Sequence, residues 1–335
     1  MATNHFDRKS LAVDGMRRRS LLGMTVFGAL AASRPAAAQE KPADYPSKMV
    51  RFIVPYPPGA ASDNISRALA QELGKIMGQP VIVENRSGGG TIVGTMAAKG
   101  LPADGYTLLL HSEGLYSAKI NTPGVDYEFS DFELLAPVAQ FSYILVVPAD
   151  RGWNRIEDVK GLSREFDFCT LDTGAGTYSM LASKVAAALG IRYRTIPFKG
   201  SAEGLTALLG GQIDGTFTTF GTVKGFKDSS RIRLLASTAR PGGADYLPGL
   251  KTFSDHGMPD VVFYSRFFLY VRAGTPAPVK EYLASAVKQA NASQAMKSAR
   301  ENFFLEEYPG TLDDFRREMN GLVKDFEAAA AKLRR

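Results

Sequence analysis

Short apolar runs alternate with longer stretches of helical period from residue 50 onward. Val50 to Val54 reads as a strand closed by Pro55. Ile65, Ala68, Leu69, Leu73, Ile76 and Met77 then recur at helical spacing, and Gly78 ends that helix. Pro80 to Val83 predicts a second strand, Gly88-Gly89-Gly90 a loop into a second helix, and Tyr106 to Leu110 a third strand. Strand, helix, strand, helix in this rhythm predicts a parallel sheet with crossover helices.

The rhythm returns further on. Tyr143 to Val147, Asp167 to Leu171, Arg192 to Pro197 and Arg233 to Ser237 read as strands. Between them lie a helix carrying Leu181, Val185 and Leu189, which ends at Gly190, and another running through Leu208-Leu209. Two such units predict two α/β lobes with a cleft between them. Phe267 to Val271 is a further strand, Thr275-Pro276 opens a helix through Val287, and the capping box Thr311-x-x-Asp314 opens the last helix. These C-terminal elements need a core to cover and are expected to pack back on the first lobe. Ligands of open parallel sheets sit beyond the carboxyl ends of strands, at helix starts.

The first residues read as an address. Arg17-Arg18-Arg19-Ser20-Leu21-Leu22 opens an apolar stretch to Ala32, and Ala36-Ala37-Ala38 supplies a small-residue cleavage site before Gln39. Together these predict a signal peptide over 1–38 and a periplasmic mature chain. The paired arginines fit a twin-arginine signal, the alternative being a general secretory signal with a basic n-region. Met16 is a second candidate start.

Export changes the charge argument. The formal charge of the whole sequence is +6, from 40 basic and 34 acidic residues. Removing six basic and two acidic residues with the signal leaves 34 against 32, or +2. No clustered basic face remains for a nucleic acid. Hydrophobic residues make up 45% of the chain, yet no run reaches the roughly 18–20 apolar residues that span a bilayer. Cys169 is the single cysteine, so no internal disulfide forms, and its apolar surroundings predict buried strand filler.

Two loops carry candidate chemistry. One is Tyr56-Pro57-Pro58-Gly59-Ala60-Ala61-Ser62-Asp63, the other Thr173-Gly174-Ala175-Gly176-Thr177. Each places small residues just before a helix, where free N–H groups and the positive helix end make an anion site. The plain alternative is a tight turn with an N-cap, Ser62 or Asp63 in the first and Thr173 or Thr177 in the second. Recurrence in both halves favours the anion site. Asp63 is expected to anchor the helix start and hold water rather than touch an anion.

Other chemistries fail on spacing. Gly88 to Gly94 lacks both the dinucleotide pattern and a Walker lysine, and no G-x-S-x-G elbow exists. His111 and His256 are too few for a His-rich metal site, so neither metal nor cofactor is expected. His111-Ser112-Glu113 could be imagined as a catalytic set, but neighbours in an extended segment point to opposite faces. A binding role suits His111 and Ser112 better, with Ser112 and nearby N–H groups as donors. Tyr56, Phe198 and Phe220 are candidate apolar walls, and ordinary core aromatics otherwise.

Tyr45-Pro46-Ser47-Lys48, Val54-Pro55-Tyr56-Pro57-Pro58-Gly59, Asp63 and Arg67 resemble the start of the Bug family, periplasmic receptors of tripartite tricarboxylate transport systems. The likeness continues through Gly78 to Arg86, Asp104 to Leu109, Lys199-Gly200-Ser201, Leu208 to Asp214, Leu247-Pro248 and Gly274 to Pro278. The resemblance implies an α/β, two-lobed type II periplasmic binding protein with a double crossover. Its first lobe would be 44–143 plus 267–335, and its second 144–266. It implies a ligand carboxylate or carbonyl at the Pro-Pro-Gly loop. Carried over, Tyr56, Pro58, Gly59, Ser62, Asp63 and Ser112 line one side, and Thr173, Gly176, Thr177 and Lys199 the other.

The departures are Ala60 where a second glycine is usual, Met180 for a common histidine, Arg266 for a tryptophan and Phe268 for a glycine. Arg266 either pairs a second carboxylate or faces solvent. The expected function is a monomeric, non-enzymatic receptor that closes on a small organic acid and delivers it to membrane permease subunits. A periplasmic sensor presenting the acid to a signalling partner is the alternative. An α/β hydrolase would need a convergent nucleophile and base that the sequence does not offer.

Overall fold

β-Branched Val50 and Val54 bracket β1 (Val50–Val54), and Pro55, with no N–H to donate, stops it. We describe the chain from a computed structural model covering residues 42, 44–171, 176–198, 200–226, 229–242 and 246–333. The signal-peptide reading of 1–38, the Gln39 cleavage site, Thr173 and Lys199 lie outside the described residues.

Helix α1 (Ala61–Met77) buries Ile65, Leu69, Leu73 and Met77, one residue per turn on a single stripe. It ends where Gly78 takes φ 69°, a left-handed cap whose N–H returns to Gly74 O. β2 (Val81–Asn85), α2 (Ile92–Lys99), β3 (Thr107–His111), α3 (Gly114–Asn121) and β4 (Phe132–Ser142) complete the first run. β5 (Ile144–Pro148), β6 (Phe166–Thr170), α4 (Thr177–Leu189), β7 (Tyr193–Pro197), α5 (Ser201–Leu209), β8 (Gly215–Thr218), α6 (Phe220–Val223) and β9 (Ile232–Ser237) form the second. β10 (Tyr264–Arg272), α7 (Ala277–Asn291), α8 (Gln294–Asn302) and α9 (Leu312–Leu333) close the chain.

Two five-stranded sheets share one plan. The first has the order β2-β1-β3-β10-β4, the second β7-β6-β8-β5-β9. In each, three strands run parallel and the next two alternate in direction. The all-parallel expectation is therefore corrected to two mixed sheets. The reason is topological. β4 ends and β10 begins where the chain passes between sheets, so strands lying side by side there must run oppositely.

The two crossings are bonded to one another. Tyr143 N donates to Thr238 Oγ1 at 2.9 Å, and Thr238 N to Tyr143 O at 2.8 Å. Thr238 Oγ1 donates to Phe263 O at 2.6 Å, and Phe263 N to Thr238 O at 2.8 Å. One fully buried threonine thus pins both connections.

The C-terminal helices return to the first sheet. α7 lies against α1 and β4, α8 against α1, and α9 against α3 and β4. The capping box at α9 forms in both directions, from Thr311 N to Asp314 Oδ2 and from Asp314 N to Thr311 Oγ1. Cys169 is buried in β6, and its Sγ lies only 2.5 Å from where a Cβ on Gly204 of α5 would sit. Glycine there lets helix and strand pack. Among the described residues, no helix is long and apolar enough to cross a membrane.

Candidate functional site

The loop from β1 to α1 is fixed from below by one carboxylate. Asp63, 3% exposed, takes Gly59 N–H at 2.9 Å and Arg67 Nε at 3.1 Å on Oδ2, and Asn85 Nδ2 at 2.9 Å on Oδ1. Burial pushes its pKa up, but the bonds from Gly59, Arg67 and Asn85 outweigh this and hold it below the usual carboxylate range. Asn85 also donates to Tyr56 O at 3.2 Å. Gly59 has φ 79°, a left-handed conformation suited to glycine. Pro58 and Gly59 are exposed, Ala60 is half-buried and Ser62 is buried.

Neither Ser62 nor Asp63 caps the helix. The N-cap is Ala60, and no side-chain cap bond is made there. The N-cap alternative is thus corrected: Asp63 spends its oxygens on the loop. The first-turn N–H groups, which have no partner within a helix, keep their hydrogen-bonding capacity.

Ser112 stands beside this loop at the end of β3. Its Oγ and the Tyr56 hydroxyl are 2.8 Å apart, and its N–H donates to Tyr56 Oη at 3.2 Å. Gly114 N–H donates to Ser112 Oγ at 3.1 Å. His111 is fully buried, with Nε2 3.0 Å from Thr95 Oγ1 and Nδ1 3.0 Å from Ser112 N. Burial lowers its pKa to about 3, so the ring is neutral. Its bonds reach Thr95 and the backbone, while the Ser112 hydroxyl pairs with Tyr56, so no serine–histidine relay is assembled.

The second loop ends at Gly176, the N-cap of α4, again without a side-chain cap. Thr177 is the first helical residue and points its hydroxyl elsewhere. It donates to Oε1 of Glu113 at 3.2 Å. Glu113 follows Ser112 directly and precedes α3, and it is 4% exposed. Its Oε1 also takes the Ser265 hydroxyl at 2.7 Å, and its Oε2 takes Arg266 N–H at 3.3 Å. A continuous path therefore runs from Tyr56 through Ser112 and Glu113 to Thr177, and it joins the loop before α1 to the start of α4 through residues 112–113. Sequence reasoning missed Glu113 as part of this junction. The available signal was an acidic residue at the carboxyl end of a central strand, where open sheets place ligands.

The side chains of the remaining candidates lie apart from that path. Phe220 opens α6 and stacks on Tyr246 at 5.7 Å, with Phe304 edge-on at 4.7 Å. Arg266 is neither free for an anion nor solvent-facing. It is 9% exposed, and its guanidinium meets Glu318 Oε2 at 3.0 Å and Tyr264 O at 2.9 Å. Met180 and Arg266 line a separate surface cavity with Glu318, Met319 and Leu322. Phe268 is core, stacked on Phe315 with ring centres 3.5 Å apart.

Residues 65–328 match the model of the tripartite tricarboxylate transporter family receptors. The chain belongs to that family. It is 30% identical over 284 residues to a protein of the tcbD–tcbE intergenic region of Pseudomonas sp. strain P51, covering 83% of this chain and 82% of that one. Among solved structures, the periplasmic binding protein BugD aligns with TM-score 0.70 and 22% identity, over 86% of this chain and 98% of its own. An R. palustris protein solved with adipate aligns with TM-score 0.73 and 23% identity, again over 86% and 98%. The receptor thus has the α/β fold of the periplasmic binding proteins, with mixed sheets and a double crossover.

Proposed function

We propose that this receptor is exported, closes on a small organic acid in the periplasm, and hands it to the permease subunits of a tripartite transporter. The observation that carries the reading is the junction at residues 112–113. Beside it stand Tyr56, in the loop that leads from the first sheet into α1, and Thr177, the first residue of α4 on the second sheet. Helix starts on both sides suit a carboxylate held between them. Adipate in a relative of the same fold is a ligand of that chemistry.

The moving parts are 44–143 plus 264–335 on one side and 144–263 on the other, since β10 from Tyr264 onward pairs within the first sheet, and they join at the Thr238 pin. Tyr56, Pro58, Gly59, Ala60, Ser62 and Ser112 would line the first side, and Gly176 and Thr177, with Thr173 and Lys199, the second. His111 and Asp63 act beneath, as supports. The Ser112 hydroxyl is tied to Tyr56 and the His111 ring is neutral and enclosed, which fits a binder rather than a hydrolase. The receptor is read as a monomer, with 1–38 removed as a signal peptide of twin-arginine type.

A thermal-unfolding screen of the exported receptor against mono-, di- and tricarboxylates tests this. An acid at about 100 times its dissociation constant stabilises by about 2.7 kcal/mol, an evident rise in Tm. No stabilisation by any acid sinks the reading.

A further inference from the structure

Glu113 sits at the junction of the two sides and is 4% exposed. Ser265 and Arg266, both on β10, hold its carboxyl from the first sheet, and only the Thr177 bond crosses to the second. Among the described residues, its bonded partners are the Thr177 and Ser265 hydroxyls and Arg266 N–H. Arg266, whose charge favours the ionised carboxyl, has its guanidinium on Glu318 and Tyr264 O. Tyr143, whose hydroxyl also meets Ser265, and Tyr178 stand beside this cluster with rings 5.4 Å apart. Burial pushes the Glu113 carboxyl above the usual range, against the bonds that lower it. A buried carboxyl is costly to ionise unless donors or charges serve it.

We infer that Glu113 selects the ligand class: the receptor favours acids that carry a second, donor group, an ammonium or hydroxyl, over dicarboxylates of equal length. This rests on the acid-receptor reading above. One ligand carboxylate takes the start of α1. The other end of the ligand then meets Glu113 before it meets α4, because the first hydroxyl of α4 is already directed at that carboxyl. A second carboxylate there faces like charge, or must share the Glu113 proton. An ammonium or hydroxyl at the same place supplies a donor that the carboxyl accepts, and an ammonium adds an opposite charge. The first sheet holds Glu113 whether or not Thr177 has arrived, so the selection acts before closure.

Matched probes test this: succinate against 4-aminobutyrate and 4-hydroxybutyrate, and glutarate against 5-aminovalerate. Dissociation constants are measured calorimetrically on the wild-type receptor and on Glu113→Gln and Glu113→Asp. The expected result is an amino or hydroxy acid at least tenfold tighter than its diacid on wild type. Glu113→Gln should narrow that ratio at least tenfold, and Glu113→Asp should fall between. Wild-type ranking needs no variant, so a misfolded Glu113→Gln does not spare the idea. If only diacids bind, or the ratio moves less than twofold in Glu113→Gln, this inference is overturned while the acid receptor stands. If no acid binds at all, both fall.

Discussion

Taking His111 out of water costs it its charge. Its folded pKa, about 3, lies below the ordinary 6.5 of an exposed ring. The unfolded chain therefore takes up the proton first as pH falls. Stability from this residue is complete above about pH 6.5 and is lost progressively toward pH 3, at about 1.4 kcal/mol per pH unit. Glu113 works in the opposite sense, since its raised carboxyl gives stability below its unfolded pKa and loses it as pH rises. Urea melts of wild type and His111→Gln at pH 7 and pH 5 separate the two, because Glu113 is common to both. Wild type should lose about 2 kcal/mol more than the variant over that interval. Equal losses would place the His111 proton outside the folding equilibrium. At this scale the sequence marked the right neighbourhood but not every role. Asp63 was legible as the support of a helix start. Glu113 was not, because its partners Thr177, Ser265 and Arg266 are 64, 152 and 153 residues away in the chain.

Striped helices and short apolar runs were legible, the buried β3, β5 and β10 among them, whereas β4 and β8 were not. α1 announces itself through one stripe and a glycine stop. β4, the longest strand, is interrupted by Pro137 and lacks clean alternation, because α7 and α9 both lie against it. Its partner β10 shifts register twice alongside it, at Phe267/Phe268 and Leu269/Tyr270. A second element no pattern predicts is the turn after α8. Phe304 takes φ 56° there and puts its ring against Phe220 and Tyr246 beside the second sheet. A left-handed phenylalanine costs about 1–2 kcal/mol, which the ring contacts must offset. Once the ring is gone, only the backbone cost remains. Phe304→Gly should then be at least as stable as Phe304→Ala in urea melts, against the usual order, with both below wild type. Alanine the more stable of the two would contradict the strain argument.

At the scale of the molecule, the duplicated strand–helix rhythm exposed two α/β units, and the family resemblance supplied the double crossover. The direction of the edge strands stayed hidden, since it is set by where the chain passes between sheets and not by any local pattern. That passage also brings two distant loops to one segment. Tyr56 reaches Ser112 across 56 residues, and Thr177 reaches Glu113 across 64. The central claim is that a carboxylate is what draws the two sides together. Calorimetric titration of the receptor with the strongest acid from the thermal screen, and with the primary amide of that acid, tests it most directly. The two differ in charge and hardly in shape. The account predicts one site for the acid and an amide weaker by about a hundredfold or more, about 2.7 kcal/mol. An amide that binds within threefold of the acid would contradict it.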